Sequence, residues 1–352
     1  MTSFKVLLAC VALLTTLTAN RAATGTLSEK AGWGTLPELP QPSGGQMAGV
    51  SNHTLLVIGG SYFDKPIWEG GTKLWLDTVH ALELGAREWK PAGRLSHPLA
   101  YGAGVTTSDG VIVIGGSDGT KHYADVFKLR YAGGRLEQTA LPALPQPVAN
   151  CGAALLNNMI YMTGGQTSPS STEALKVLWA LDLNEHEPRW TALEPPPGAG
   201  RILPVVAAQA GALYVISGAE LVAGTDGAAA RRYLNDGWKY RPGKGWARIA
   251  DATRAVVAAP ALAIGKSRIL VFSGDDGANT HRVRELREKH PGFSRDVLSY
   301  DTGKNAWTTV AHMPVSLVTT AVAPWQNGIV IPGGEDRPSH RSSSVLTLRL
   351  KK

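Results

Sequence analysis

Cysteine is nearly missing from this chain of 352 residues: only Cys10 and Cys151 occur. No disulfide framework and no cysteine-based zinc site can be built from them, so packing has to supply the stability. Charge is sparse too, 18% against about 25% in an average soluble domain. No basic run resembles a nucleic-acid-binding arm, and no nucleic-acid partner is expected. Beyond the N-terminal segment there is no stretch of about 20 apolar residues, so no membrane span is expected. Fingerprints of the G-x-S-x-G, P-loop and dinucleotide kinds are absent, which argues against serine-hydrolase and nucleotide chemistry. The nine histidines are scattered without H-x-x-x-H pairs. Asp275-Asp276 reads equally well as a turn or as a calcium ligand, so neither a metal nor a cofactor is expected. A copper radical site would need a Tyr–Cys cross-link, and Cys151 in NCGAALL reads instead as a buried apolar residue.

Glycine and proline are plentiful, 62 of 352 residues, within a chain that is 43% hydrophobic. This balance favours many turns and short strands over a helical bundle, around a sizeable core. The net charge of +7 favours anionic partners without specifying one. The start, MTSFKVLLACVALLTTLTANRAATG, reads as a secretory signal peptide over residues 1–23: a Lys, an apolar stretch from Val6 to Leu17, then small residues. The apolar stretch continues past Cys10, unlike a lipoprotein leader. A periplasmic or secreted location follows as an expectation, with residues 24–352 as a single domain.

A short apolar strand ending in a small residue and Gly recurs six times: LLVIGG (55–60), VIVIGG (111–116), IYMTGG (160–165), LYVISG (213–218), ILVFSG (269–274) and IVIPGG (329–334). The intervals between last glycines, 49 to 60 residues, match the roughly 50-residue kelch period. Each unit continues with a loop, a third strand and a fourth that carries a Trp at 89, 190, 246 and 307; the second unit offers Leu136–Thr139 there. Such four-stranded sheets are too small to bury both faces alone and stack radially, so the fold class is all-β, a six-bladed kelch β-propeller. The sixth unit lacks its outer strand before the chain ends, and GWGTLP (32–37) reads as the missing piece, closing the last blade from the N-terminal side. The Trp and Gly positions are packing and turn positions.

The loops after the six glycine signals converge on one mouth of the central channel, the default place for a site. Those of units one (61–76) and five (275–295) are long; the latter, rich in alternating charge, is expected to hold a short exposed helix and to serve either as a wall over the mouth or as a solvated insertion. In the sixth loop, Glu335 leaves the strand directly after Gly334, and Arg341 returns six positions later past Pro338. The pair is either a plain loop salt bridge or a carboxylate and guanidinium set up for chemistry. Weaker substrate-binding candidates are Trp68 and Glu69 in a turn of the first loop, Arg94, Arg201 and Arg254 near the starts of inner strands, and Arg337 beside Glu335.

Taken together, GGSYFDKPIWEGGTK (59–73), the insertion-bearing fifth unit and Gly334-Glu335-x-Arg-Pro-x-x-Arg341 resemble the N-acetylneuraminate epimerase family, the sialic acid mutarotases, in its circularly permuted kelch branch. The likeness extends over the whole mature chain. It implies a mutarotase of N-acetylneuraminate with Glu335 as the proton acceptor and Arg341 as its partner, anchoring a small acidic sugar by its carboxylate. The family's loop usually reads Glu-x-Lys-Pro-Gly-x-Arg; here Arg337 and Ser339 stand in for the Lys and Gly, and units four and five carry Ser-Gly in place of Gly-Gly. A non-catalytic propeller that binds a glycan or protein at the same mouth is the other reading the residues allow.

Overall fold

The computed structural model describes residues 32–224 and 228–350; the expected signal peptide and Cys10 lie outside the described residues. Six four-stranded antiparallel sheets form a closed wheel. Their inner strands, lining the central channel, are Met47–Ser51, Ala103–Thr107, Ala149–Leu156, Val205–Gln209, Ala261–Ile264 and Ala323–Trp325. In blades 1 to 5 the four strands follow one another in sequence. Blade 6 is composite: after Gly328–Arg337 and His340–Arg349, its outer strand is Trp33–Leu36, with Trp33 opposite Leu348 and Leu36 opposite Val345. The two ends of the chain are thereby clasped in one sheet, and the wheel has no open seam.

The core explains why a ring is needed. Its apolar residues fall into clusters that each straddle two neighbouring blades. Met47, Leu56 and Ile58 of blade 1, for example, pack on Val111, Val113 and Phe127 of blade 2. Leu55 and Val57 meet Ala323 and Val330 across the join between first and last blades. Second strands such as Gly110–Ile114 are buried throughout, because both their faces are covered by adjacent sheets.

Tryptophans at the outer strands fasten each blade to the one before it. The indole N–H groups of Trp33, Trp89, Trp190, Trp246 and Trp307 donate to the carbonyls of His312, Pro37, Pro142, Glu194 and Ala250 at 2.8 to 2.9 Å. In blade 2, which lacks the Trp, Leu136 packs closely on Gly93 of blade 1 instead.

The glycine pairs serve the turn onto the mouth. Gly59 holds φ +60°, and a Cβ there would lie 2.1 Å from the Leu99 carbonyl oxygen. Where serine replaces the first glycine, as at Ser217 and Ser273, φ is still positive. There the hydroxyl is buried and accepts the N–H of the next connection, Val256 at 2.8 Å and Leu317 at 3.1 Å. The Ser-Gly departures are therefore part of the scaffold between blades.

Six residues, one per blade, form a closed backbone ring. Tyr101 donates to Gly45, Asn150 to Tyr101, Leu203 to Asn150, Ala258 to Leu203, Thr319 to Ala258 and Gly45 to Thr319, at 2.6 to 3.0 Å. All six have positive φ. This strained girdle fixes the floor on which the mouth loops stand.

Candidate active site

One register rule places the key side chains. In every blade the residue just after the second glycine pairs with the residue just before the girdle: Ser61 with Gly44, Ser117 with Ala100, Gln166 with Ala149, Ala219 with Ile202, Asp275 with Val257 and Glu335 with Val318. Six equivalent positions thus circle the mouth, and two of them are carboxylates, Asp275 and Glu335, on adjacent blades.

Glu335 and Arg341 lie directly opposite each other in the extended hairpin of blade 6. Their side chains form an ion pair between Oε2 and Nη1, with only 15% and 5% of the side-chain surfaces exposed. Glu335 Oε1 also accepts the Ser339 backbone N–H at 2.6 Å, which Ser339 delivers from a φ of +66°. Arg341 Nη2 donates to the Tyr101 hydroxyl at 3.0 Å, and its guanidinium lies 5.4 Å from the Phe63 ring centroid. Burial disfavours the Arg341 cation, but Glu335 and Tyr101 more than offset it and hold it firmly protonated.

Tyr101 is the member of this cluster that the sequence reading overlooked. It sits in the girdle, where the other five positions are Gly, Asn, Leu, Ala and Thr, and nothing in its local pattern marks it. Its hydroxyl accepts from Lys73 Nζ at 2.6 Å as well as from Arg341. Burial pushes the phenol's pKa up, yet the Arg341 and Lys73 cations bring it below the usual tyrosine value. Two glycines clear the space: a Cβ on Gly44 would meet Arg341 Cδ at 2.8 Å, and one on Gly45 would meet the Tyr101 ring at 2.8 Å. Gly44-Gly45, without the apolar run of the six signals, is the sequence trace of that seat.

All four residues open onto a cavity of about 470 Å³ at the mouth. Blade 5 contributes Asp275, whose carboxylate accepts the Tyr233 hydroxyl at 2.7 Å and the Gly277 N–H at 2.9 Å. From the same insertion comes buried His290. Its Nδ1 accepts the Gly292 N–H, so the neutral ring carries its proton on Nε2; burial lowers its pKa, with Asp275 opposing and Arg337 adding to the shift. The insertion does hold short helical turns, Thr280–Arg282, Val283–Leu286 and Arg287–Lys289, and Asn279, Val283 and Phe293 line the cavity. Arg231 and Tyr233 reach it from blade 4. There the second and third strands, Ala212–Ala223 and Ala229–Arg241, run well past the LYVISG signal at 213–218. Their distal half is too polar and small-residued to show as an apolar run.

The weaker candidates fall elsewhere, none of them on the cavity walls. Arg94 ends the outer strand of blade 1, exposed and paired with Asp77 at 2.8 Å. Arg201, 2% exposed, makes a two-pronged bond to Asp236 at 2.9 Å and another to the Ser217 carbonyl, a structural role on blade 4. Arg254 donates to the carbonyls of Ala255 and Ser273. Arg337 leans on Asp336 at 3.5 Å. Glu69 is exposed, and Trp68 donates to Glu288 at 2.5 Å, tying the first loop to the fifth-blade insertion across the rim of blade 6. Cys151 is free, its thiol pushed up to about 12 by burial, an inert state.

A family model described as N-acetylneuraminate epimerase matches residues 3–137. Over that stretch the chain is similar to the N-acetylneuraminate epimerase family. Among curated relatives, the N-acetylneuraminate epimerase of Haemophilus influenzae is 34% identical over 122 residues, 30% of this chain and 32% of that protein. That of Yersinia enterocolitica is 37% identical over 105 residues, 26% of each. The chain thus spans about a third or less of the length of the curated relatives it matches. In three dimensions the solved structure of YjhT superposes with a TM-score of 0.65 at 17% identity, covering 88% of this chain and 96% of that one, which supports the propeller fold. The family match takes in Lys73 and Tyr101; Glu335 and Arg341 lie outside it.

Proposed function

We propose that the mouth cavity interconverts the α and β anomers of N-acetylneuraminate by acid/base-assisted ring opening, outside the cytoplasm, with Glu335 as the base. The observation that carries this reading is the Glu335–Arg341 pair, buried at one wall yet open to a cavity of sugar size. Opening a pyranose at its anomeric carbon requires a base at the anomeric hydroxyl, a proton at the ring oxygen, and room for the freed keto carbon to rotate before reclosure. A carboxylate positioned at the hydroxyl accelerates such a step by about 10²- to 10⁴-fold. Arg341 holds that carboxylate in position through the ion pair. The anionic end of the sugar is assigned to the cationic side chains that line the cavity, Arg341, Lys73 and Arg231, and the family likeness supports a sialic acid as that sugar.

The test is direct. Freshly released α-N-acetylneuraminate is followed by NMR with and without the protein, and the protein is expected to speed equilibration well beyond the spontaneous rate. Glu335→Gln should abolish the acceleration while the chain still unfolds in a cooperative transition, at a lower midpoint because Arg341 loses its counter-charge. Saturable sugar binding with no effect on the exchange rate would instead make the chain a glycan-binding propeller.

A further inference from the structure

We infer that the phenol of Tyr101 is the second proton-transfer group of this reaction, giving a proton to the sugar ring oxygen while Glu335 takes one from the anomeric hydroxyl; the inference rests on the mutarotase reading above. The chemistry asks for two groups. As Glu335 removes the hydroxyl proton, the C–O bond of the ring breaks, its electron pair moves onto the ring oxygen, and a carbonyl forms at the former anomeric carbon. The ring oxygen then needs a proton from a donor other than the carboxylate that is collecting one. After rotation about the bond beside the keto carbon, the steps reverse: the chain hydroxyl returns its proton to the phenolate and attacks the other carbonyl face, and the new anomeric oxygen takes the proton held by Glu335. Both residues end as they began, so no co-reactant is required.

The geometry supplies this second group at the right place. Glu335 and Tyr101 engage the two terminal nitrogens of a single guanidinium, Nη1 and Nη2 of Arg341, which sets carboxylate and phenol side by side on one wall of the cavity. The phenolic oxygen already accepts from Lys73 at 2.6 Å and from Arg341 at 3.0 Å. Its own proton is therefore directed elsewhere, to Ser61 Oγ at 3.2 Å or to a ligand in the cavity. Two cations are in place to receive the charge of a phenolate, so the donor pays little for losing its proton. The charged groups that face Tyr101 are Lys73, Arg341 and Glu335, and the two cations prevail over the carboxylate and over burial in lowering its pKa. Lys73 also lies over the Tyr101 ring, 4.3 Å from its centroid, and is held there by Trp75 at 4.6 Å. The clamp is a built feature rather than a chance approach of one long side chain.

The experiment uses the full chain, with wild type, Tyr101→Phe and Lys73→Met compared by NMR exchange rates across pH and by tyrosinate absorbance across the same range. Tyr101→Phe is expected to lower kcat by about 10²- to 10⁴-fold with KM little changed, and to remove the alkaline limb of the kcat profile while the acid limb persists. Lys73→Met should move that alkaline limb to higher pH, because one cation that favours the phenolate is gone. The absorbance difference between wild type and Tyr101→Phe should isolate one phenol that titrates below the others. Should Tyr101→Phe keep both limbs and a rate within a few-fold of wild type, or lose only thermal stability, the inference is overturned and the mutarotase reading stands. If wild type shows no exchange at all, both fall, and the absorbance titration still reports whether the clamp acts on the phenol as described.

Discussion

Replacing Arg341 by Met removes the cation between two acidic partners while nearly keeping its length, and the structure sets the size of the effect. Glu335 is left in a site where 15% of its side chain is exposed, still fixed by the Ser339 N–H but without its counter-charge. Breaking one side of a buried ion pair costs about 3 to 5 kcal/mol, since the remaining charge stays desolvated. Partial exposure of Glu335 to the cavity places the expected loss near the lower end, about 3 kcal/mol. Neutralising both partners together is far milder, because a buried pair replaced by neutral groups of similar volume is often close to neutral in stability. The double variant Glu335→Gln/Arg341→Met should therefore be more stable than Arg341→Met alone by about 2 kcal/mol. Urea unfolding of the two single variants and the double variant measures this, read as shifts in midpoint at constant slope. A double variant that loses the simple sum of the single losses would refute the claim that these side chains are held as an ion pair at the mouth.

Two further outcomes concern the scaffold. Burial raises the pKa of Asp236, but hydrogen bonds and charge from Arg201, with help from Trp238, hold it below the usual carboxylate range. Its contribution to stability is thus fully present above the pH where an unfolded Asp titrates, about 4, and is lost as pH falls toward the lower folded value. Asp236→Asn should cost about 3 kcal/mol at neutral pH and flatten the acid side of the stability profile, which denaturant titrations between pH 2 and 7 would reveal; an unchanged acid slope would contradict the pairing. A chain beginning at Ser43 lacks Trp33, Leu36 and Leu39, which close blade 6 and its join to blade 1. Calorimetry should then show a lower midpoint and a broadened transition, and an unaltered melting curve would mean that the clasp is dispensable.

The fold was legible because its signals are local and repeated. Six apolar runs ending in a small residue and glycine, spaced at 49 to 60 residues, already imply sheets that cannot bury both faces alone, and the truncated last unit beside an orphan GWGTLP implies where the ring closes. Glu335 and Arg341 could be paired in advance for the same reason: they flank one tight hairpin, so their meeting needs only the strand register. Trp68 had no such local constraint. Its partner Glu288 is 220 positions away, and only the folded wheel brings the two loops together. Arg201 could not be told from a substrate-binding arginine by its neighbours in sequence, because Asp236, which consumes it, lies on another strand.

The sequence by itself determined the repeat, the number of blades, the strand that closes the wheel and the hairpin that carries a carboxylate opposite a guanidinium, since each follows from periodicity or from short-range register. The tertiary structure alone decided which side chains share the mouth. Lys73 comes from blade 1, Tyr101 from the start of blade 2, Asp275 from blade 5 and Glu335 with Arg341 from blade 6. Their convergence depends on the angle through which each sheet is turned about the channel and on the girdle of backbone bonds that sets all six at one height. Those are properties of packing between blades, and no stretch of the chain contains them.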